Sequence, residues 1–252
     1  MNMIQSELLK YKGTFTRKLI LLAPLLFVIN ALLQKLFMPV DYSRSWQLLI
    51  ALVYNWWPVI FVPLGIALLA ALGASQEKKA GNYRYLRAMN ISPARIWSGK
   101  VIVMALHTLV AAFFLMVATV ISGFISADGP VPWLKIFTGG LVIWVASLAI
   151  IPIQLWVASW KGTFYSMTAG FAGMIAGVLA APKSCWVYVP WSWPTRLMCP
   201  IIGVHPNGIL LEATDPLRDA SSIPAGITLS ILSGILITAI TAIWFDRKEV
   251  KS

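Results

Sequence analysis

Residues 101–126 read VIVMALHTLVAAFFLMVATVISGFIS. They contain no Asp, Glu, Lys or Arg, and His107 is their one ionisable side chain. A helix that crosses a bilayer needs roughly 20 predominantly apolar residues, and this run exceeds that. Five further runs match it, at 19–38, 50–74, 134–158, 162–181 and 224–245. None alternates as the strands of an outer-membrane barrel do. Lipid offers backbone polar groups no partner, so each run must satisfy its own as a helix. The chain is 59% hydrophobic and 12% charged, about half the charge of a soluble domain. The sequence predicts an all-α, polytopic membrane protein with six transmembrane helices, residues 1–252 forming one transmembrane domain.

The formal net charge of +11 raises nucleic acid as a partner, but its distribution argues against that. With the N-terminus in the cytoplasm, 14 Lys and Arg fall inside and six outside. That is the bias of the positive-inside rule. It predicts cytoplasmic termini, a lipid-membrane location and no nucleic-acid partner. Residues 1–18 are polar and charged, and no small-residue cleavage site follows the first run. The first run is therefore expected to be a retained span.

Ile4, Leu8, Tyr11 and Phe15 make one apolar helical stripe, with Glu7, Lys10 and Arg17 mostly off it. This predicts either an amphipathic helix within 1–18 on the inner membrane surface or a cytoplasmic extension of span one. In span two, Pro58 and Pro63 are expected to kink the helix. His107 has no acidic partner in any span, so a neutral histidine bonded to a neighbouring helix is expected.

The one sizeable cytoplasmic loop is 75–100, SQEKKAGNYRYLRAMNISPARIWSGK. Gly81 offers a helix stop. Tyr83 and Leu86 share one face of a short helix, and Arg84 and Arg87 another. Ser92 and Pro93 form a helix start, as N-cap and first helical residue. A structured basic loop suits a protein-docking site, and topology alone also demands basic residues here. In span five, Ala169, Gly173 and Gly177 are four apart, as are Ala172, Ala176 and Ala180. Small residues at that spacing let helices approach closely, within the chain or against a second membrane subunit.

The outer loop spans 182–223. Its segment 190–209, PWSWPTRLMCPIIGVHPNGI, is apolar yet holds four prolines and one charged residue, Arg196. Trp186, Trp191 and Trp193 suit the headgroup layer. The segment reads as a re-entrant piece before the last span, turning at His205-Pro206-Asn207-Gly208. Cys185 and Cys199 share this loop; a disulfide is sterically open to them, as is a role as two apolar thiols.

The chain lacks a G-x-x-x-x-G-K-[ST] phosphate loop, a His/Cys/Asp/Glu cluster at metal spacing, and a G-x-S-x-G or Ser-His-Asp arrangement. No catalytic or metal site is expected. All nine acids lie outside the apolar runs, whereas ion-driven transporters usually place carboxylates in their spans. Energy for uphill movement would come from a partner.

Taken together, the chain resembles a permease of the ABC-2 type. Glu77, Gly81, Leu86, Pro93, Arg95 and Lys100 match that family's loop between spans two and three. The order Pro-Trp-Ser, Arg-Leu-Met, Pro-Ile-Ile-Gly-Val-His-Pro-Asn-Gly in 190–208 is similar to permeases of lantibiotic-immunity transporters, the mutacin/epidermin group. The resemblance implies a transport subunit in the cytoplasmic membrane of a Gram-positive bacterium. It would work with a second, different permease subunit and a cytoplasmic ABC ATPase dimer that binds ATP and Mg. The cargo implied is a peptide antibiotic, expelled from the membrane to protect the cell. Glu77, Gly81, Tyr83, Arg84, Leu86, Pro93, Arg95 and Lys100 would then couple to the ATPase. Trp191, Trp193, Pro194, Arg196, His205, Pro206 and Asn207 would form a substrate contact or outer gate. Two other readings stay open: an exporter of another cargo, such as a lipid-linked glycan or drug, and a non-transporting membrane scaffold or sensor.

Overall fold

The computed structural model of the protein is described for residues 3–37, 45–79 and 92–250. Among these, every regular element is helical, and extended backbone pairs only at two isolated bridges, Ser45 with Asp128 and Val204 with Leu210. Helices Phe15–Phe37, Trp46–Lys79, Pro93–Ser126, Thr163–Ala180 and Ser222–Arg247 are each long and apolar enough to cross a membrane. Trp133–Ala146 and Ile150–Lys161 qualify together, as a pair bent by 43°. These correspond to the six expected spans.

Proline shapes three of them. Met3–Lys10 (α1) leads through a turn with Gly13 at φ 76° into Phe15–Leu22 (α2) and Leu25–Phe37 (α3). The break falls at Ala23-Pro24, because proline has no N–H for the carbonyl four residues back and its ring clashes there. Trp46–Trp56 (α4) starts at Ser45, whose side chain accepts from Leu48 N at 3.3 Å. It runs through one π turn, Trp57–Phe61, into Val62–Lys79 (α5). Pro58 and Pro63 both lack a donor here, and the widened turn accommodates them, with Val62 N reaching Trp57 O. The bend between Trp133–Ala146 (α7) and Ile150–Lys161 (α8) sits at 147–149, where Pro152 leaves the Leu148 carbonyl without its helical donor. Ser230, from the last helix, donates to the Val145 carbonyl at 2.7 Å and so covers a carbonyl at this bend.

Pro93–Ser126 (α6) has 34 residues, about 50 Å at 1.5 Å each, which overshoots a hydrocarbon core of about 30 Å. Thr163–Ala180 (α9) follows Gly162, at φ 90°. Two 3-10 turns, Ser184–Tyr188 and Pro190–Ser192, lead into Trp193–Ile202 (α10). Ser222–Val250 (α11) closes the chain.

The core runs through the bundle axis. Tyr54 is fully buried and donates to Ile136 O at 2.6 Å, joining α4 to α7. Trp97 donates to Thr241 Oγ1 at 2.9 Å and packs 4.9 Å from the Phe245 ring, joining α6 to α11. Outward faces are apolar as well: Leu232, Ile235, Leu236 and Ile240 of α11 are each more than half exposed. Such a face suits lipid and not water. The Pro24 break, the π turn and the bend at Ser147 all border one apolar cavity of about 490 Å³, lined among others by Ala23, Trp57, Phe61, Trp144 and Ser147.

Candidate functional site

At one end of the bundle, α1, the last turn of α5 and the second turn of α6 converge on four charges. Glu7 Oε1 accepts from Lys10 Nζ at 2.6 Å, and Glu7 Oε2 from Lys100 Nζ at 3.1 Å. Glu77 Oε1 accepts from Lys10 Nζ at 2.6 Å and also from Lys100 Nζ. Glu7, Glu77 and Lys100 are 3%, 7% and 8% exposed. Two acids and two bases thus neutralise one another, three of them out of water and Lys10 at the edge with its side chain 32% exposed. A buried ion set survives only with this kind of mutual hydrogen bonding, because desolvation alone would cost several kcal/mol per ion. Burial alone would lower the Lys10 pKa, but its hydrogen bonds to Glu7 and Glu77 and their charges outweigh that and hold it above the usual lysine value.

The sequence reading placed Glu77 and Lys100 in a loop, facing a partner protein. The structure places Glu77 in the last turn of α5 and Lys100 within α6, both buried and paired inside the chain. They tie together the two ends of the loop and fasten α1 to both. The helical start at Pro93 agrees with expectation, with Ser92 as N-cap residue, although its side chain makes no capping hydrogen bond. Gly81, Tyr83, Arg84 and Leu86 lie outside the described residues. Arg95 is exposed. It lines a shallow cleft of about 400 Å³ with Ile4, Ala94, Ser98, Gly99 and Ile102, between α1 and the start of α6.

Ile4, Leu8 and Phe15 are exposed at 39%, 38% and 64%, while Glu7 and Tyr11 are the buried pair. The stripe therefore faces away from the bundle and only Tyr11 turns in, because the buried charge of Lys100 draws Glu7 inward. Tyr11 lies against His107, with ring centroids 4.4 Å apart. His107 Nδ1 lies 2.7 Å from the Val103 carbonyl of its own helix, not of a neighbour as expected.

The opposite end is capped by 182–221. Four prolines do not prevent a helix here. Pro194 sits in the first turn of α10, where no donor is needed, and Pro200 is accommodated inside. Every residue from Ser192 to Cys199 is buried, packed against α4, α7 and α11. Trp193, expected in the headgroup layer, is 2% exposed and donates to Trp186 O at 3.1 Å. Pro194 and Pro206 are buried, Trp191 and His205 partly so, and Asn207 is exposed. Arg196 is 6% exposed; it donates to Leu217 O at 2.7 Å and lies over the Trp186 ring. Arg218 donates to Leu211 O and Glu212 O, both at 2.7 Å. The two arginines pin the loop from both sides. Gly203, left-handed at φ 83°, ends α10 and starts a tight hairpin. Its turn, closed by Gly208 N donating to His205 O at 2.8 Å, is the one the sequence marks. Asn55 of α4 donates to His205 O and Pro206 O, at 3.0 and 3.1 Å, and holds the hairpin down.

The small residues of α9 serve this cap. A Cβ on Gly173 would lie 2.4 Å from the Trp191 ring, and one on Gly177 would lie 2.7 Å from the Trp191 carbonyl oxygen. Gly170 meets Ala67 of α5. Ala169 is only partly buried, and Ala172 and Ala176 are exposed. The close packing is therefore internal, along Gly170, Gly173 and Gly177. Cys185 and Cys199 are both free thiols, the first exposed and the second buried.

Six apolar crossings, a charge-linked helix junction at one end and a pinned cap at the other define a polytopic helical membrane protein. The family model for "ABC-2 family transporter protein" matches residues 3–177, and the chain belongs to that family. No curated protein and no solved structure matches it. Membership makes it a membrane permease of an ABC transport system, the transport part and not the catalytic one, and implies association with an ABC ATPase.

Proposed function

We propose that the chain is the permease subunit of an ATP-driven exporter. It takes lantibiotic-type peptides from the membrane and releases them outside, protecting the cell. The ATPase dimer, carrying ATP and Mg, docks at the end bearing α1 and the basic loop, and a second, different permease subunit completes the pore. The carrying observation is the Glu7–Lys10–Glu77–Lys100 network. It binds both ends of the loop to α1 and to spans two and three, so a push on the loop is delivered to the helices and not absorbed by a slack connection. Arg95 and the cleft beside it supply an exposed contact next to that network. The likeness of 190–208 to lantibiotic-immunity permeases supports the cargo, and the positive-inside charge count supports cytoplasmic termini.

The test is resistance. The chain is expressed with its genomic neighbours in a sensitive Gram-positive host, with the partner ATPase intact or dead. ATP-dependent protection against a lantibiotic is the expected result. An assembled complex that hydrolyses ATP yet protects against none would move the cargo to a lipid-linked glycan or a drug.

A further inference from the structure

The capped end contains a second cavity, of about 470 Å³, between the end of α3, α4, the end of α6 and the hairpin. Asn55 is 7% exposed and lines it. Its Nδ2 is spent on His205 O and Pro206 O, and among the described residues nothing donates to its Oδ1. That oxygen is not sealed away from the cavity and is open to a donor entering it. Gln34 also lines the cavity, and one N–H of its Nε2 donates to Asn30 Oδ1 at 2.8 Å.

The hairpin supplies the matching backbone. His205 N donates to Ile209 O and Leu211 N to Gly203 O, both on either side of the Val204–Leu210 bridge. In an antiparallel pair this places Val204 and Leu210 opposite each other without exchanged hydrogen bonds, so the N–H and C=O of Leu210 turn away from Val204. Among the described residues neither has a partner, and Leu210 lines the cavity. Among the described residues the cavity therefore offers the Leu210 N–H as a backbone donor, several acceptors, the apolar walls Leu48 and Leu52, and no charged lining residue.

We propose that this cleft binds an extended peptide segment, which pairs as a strand with Leu210 and places an apolar side chain between Leu48 and Leu52. A secondary amide carries one donor and one acceptor, the complement of Leu210, and strand addition to an unpaired edge uses that match. The proposal deepens the peptide-export reading and rests on it for the nature of the cargo. The cationic part of such a peptide stays outside the cleft, whose lining is neutral among the described residues.

The probe is a fluorescein-labelled octapeptide rich in valine and isoleucine, read by anisotropy against the full chain in phosphatidylcholine nanodiscs without the ATPase. The control is the same peptide N-methylated at alternate residues. Leu210→Pro removes the free N–H along with the leucine side chain and fixes φ at that position, and Leu48→Trp fills the cleft from an exposed position. Saturable binding that weakens at least tenfold with N-methylation and with each variant is expected. Equal binding of the N-methylated peptide, or wild-type binding by both variants, would overturn the proposal. So would displacement of the peptide by short-chain phosphatidylcholine, which would make the cleft a lipid site. Cleft binding without ATP-dependent resistance would sink the export reading and leave the cleft standing; resistance without cleft binding would do the reverse.

Discussion

Glu77 and Arg95 flank the same loop yet stand in opposite environments, and their variants should separate accordingly. Glu77→Ala leaves Lys100 buried beside a single acid. Breaking a buried ion pair this way costs about 3–5 kcal/mol, so the purified subunit should lose thermal stability along with ATPase binding. Arg95→Ala touches an exposed side chain and should weaken co-purification of the ATPase with stability unchanged. If both variants behave alike, the distinction between positioning and contact fails. Lys10 adds a pH signature. Its pKa is raised on folding, so its contribution is complete below the ordinary lysine value of 10.5 and fades as pH rises through the folded value. Replacing Lys10 by Met should flatten the stability loss above pH 10.5 in a thermal scan. The two cysteines form another contrasting pair. Burial pushes the Cys199 thiol up to about 11, while Cys185 is exposed. An impermeant maleimide applied to intact cells should label Cys185 and spare Cys199. Labelling only after the membrane is opened would reverse the proposed topology.

At the scale of elements, close approach at α9 is the feature open to test. Gly177→Val would force methyl groups into the Trp191 backbone, which cannot yield as a side-chain tip can. Overpacking of this kind costs about 1–3 kcal/mol. Ala176→Val, one residue earlier on the exposed face, should leave the melting temperature unchanged. The sequence displayed the small residues but not which of two interleaved stripes faces inward, since both share the spacing of four. Trp191 decides it, and a tryptophan 14 residues further along the chain leaves no periodic mark. The same holds for α1. Its apolar stripe was legible from spacing, but the direction it faces depends on Lys100, a partner 93 residues from Glu7. Spans were legible because lipid demands long apolar runs whatever their neighbours. The buried α10 was not, since the four prolines and three tryptophans of 186–206 resemble an interfacial segment until the helices around it are known.

For the whole molecule, the arrangement is a bundle with a charge-sealed end, a pinned end, and three proline-made irregularities around one cavity between them. In the proposed transporter, pinned ends and a middle built from interrupted helices would let a displacement at the network travel as a change in helix direction. The π turn at Trp57–Phe61 carries a further consequence, one of counting. A ring closed from i to i+5 stores one residue more than a regular turn. Deleting Val59 should let that turn relax to ordinary α-helix, with α4 and α5 still in phase on either side. Deleting Leu68 instead, in a regular stretch of α5, would rotate everything after it by about 100° and swing Glu77 off the side that meets Lys10 and Lys100. Folded yield in detergent should therefore survive the first deletion and collapse with the second. The widened turn is the one place in the second span where the chain can lose a residue and keep its register.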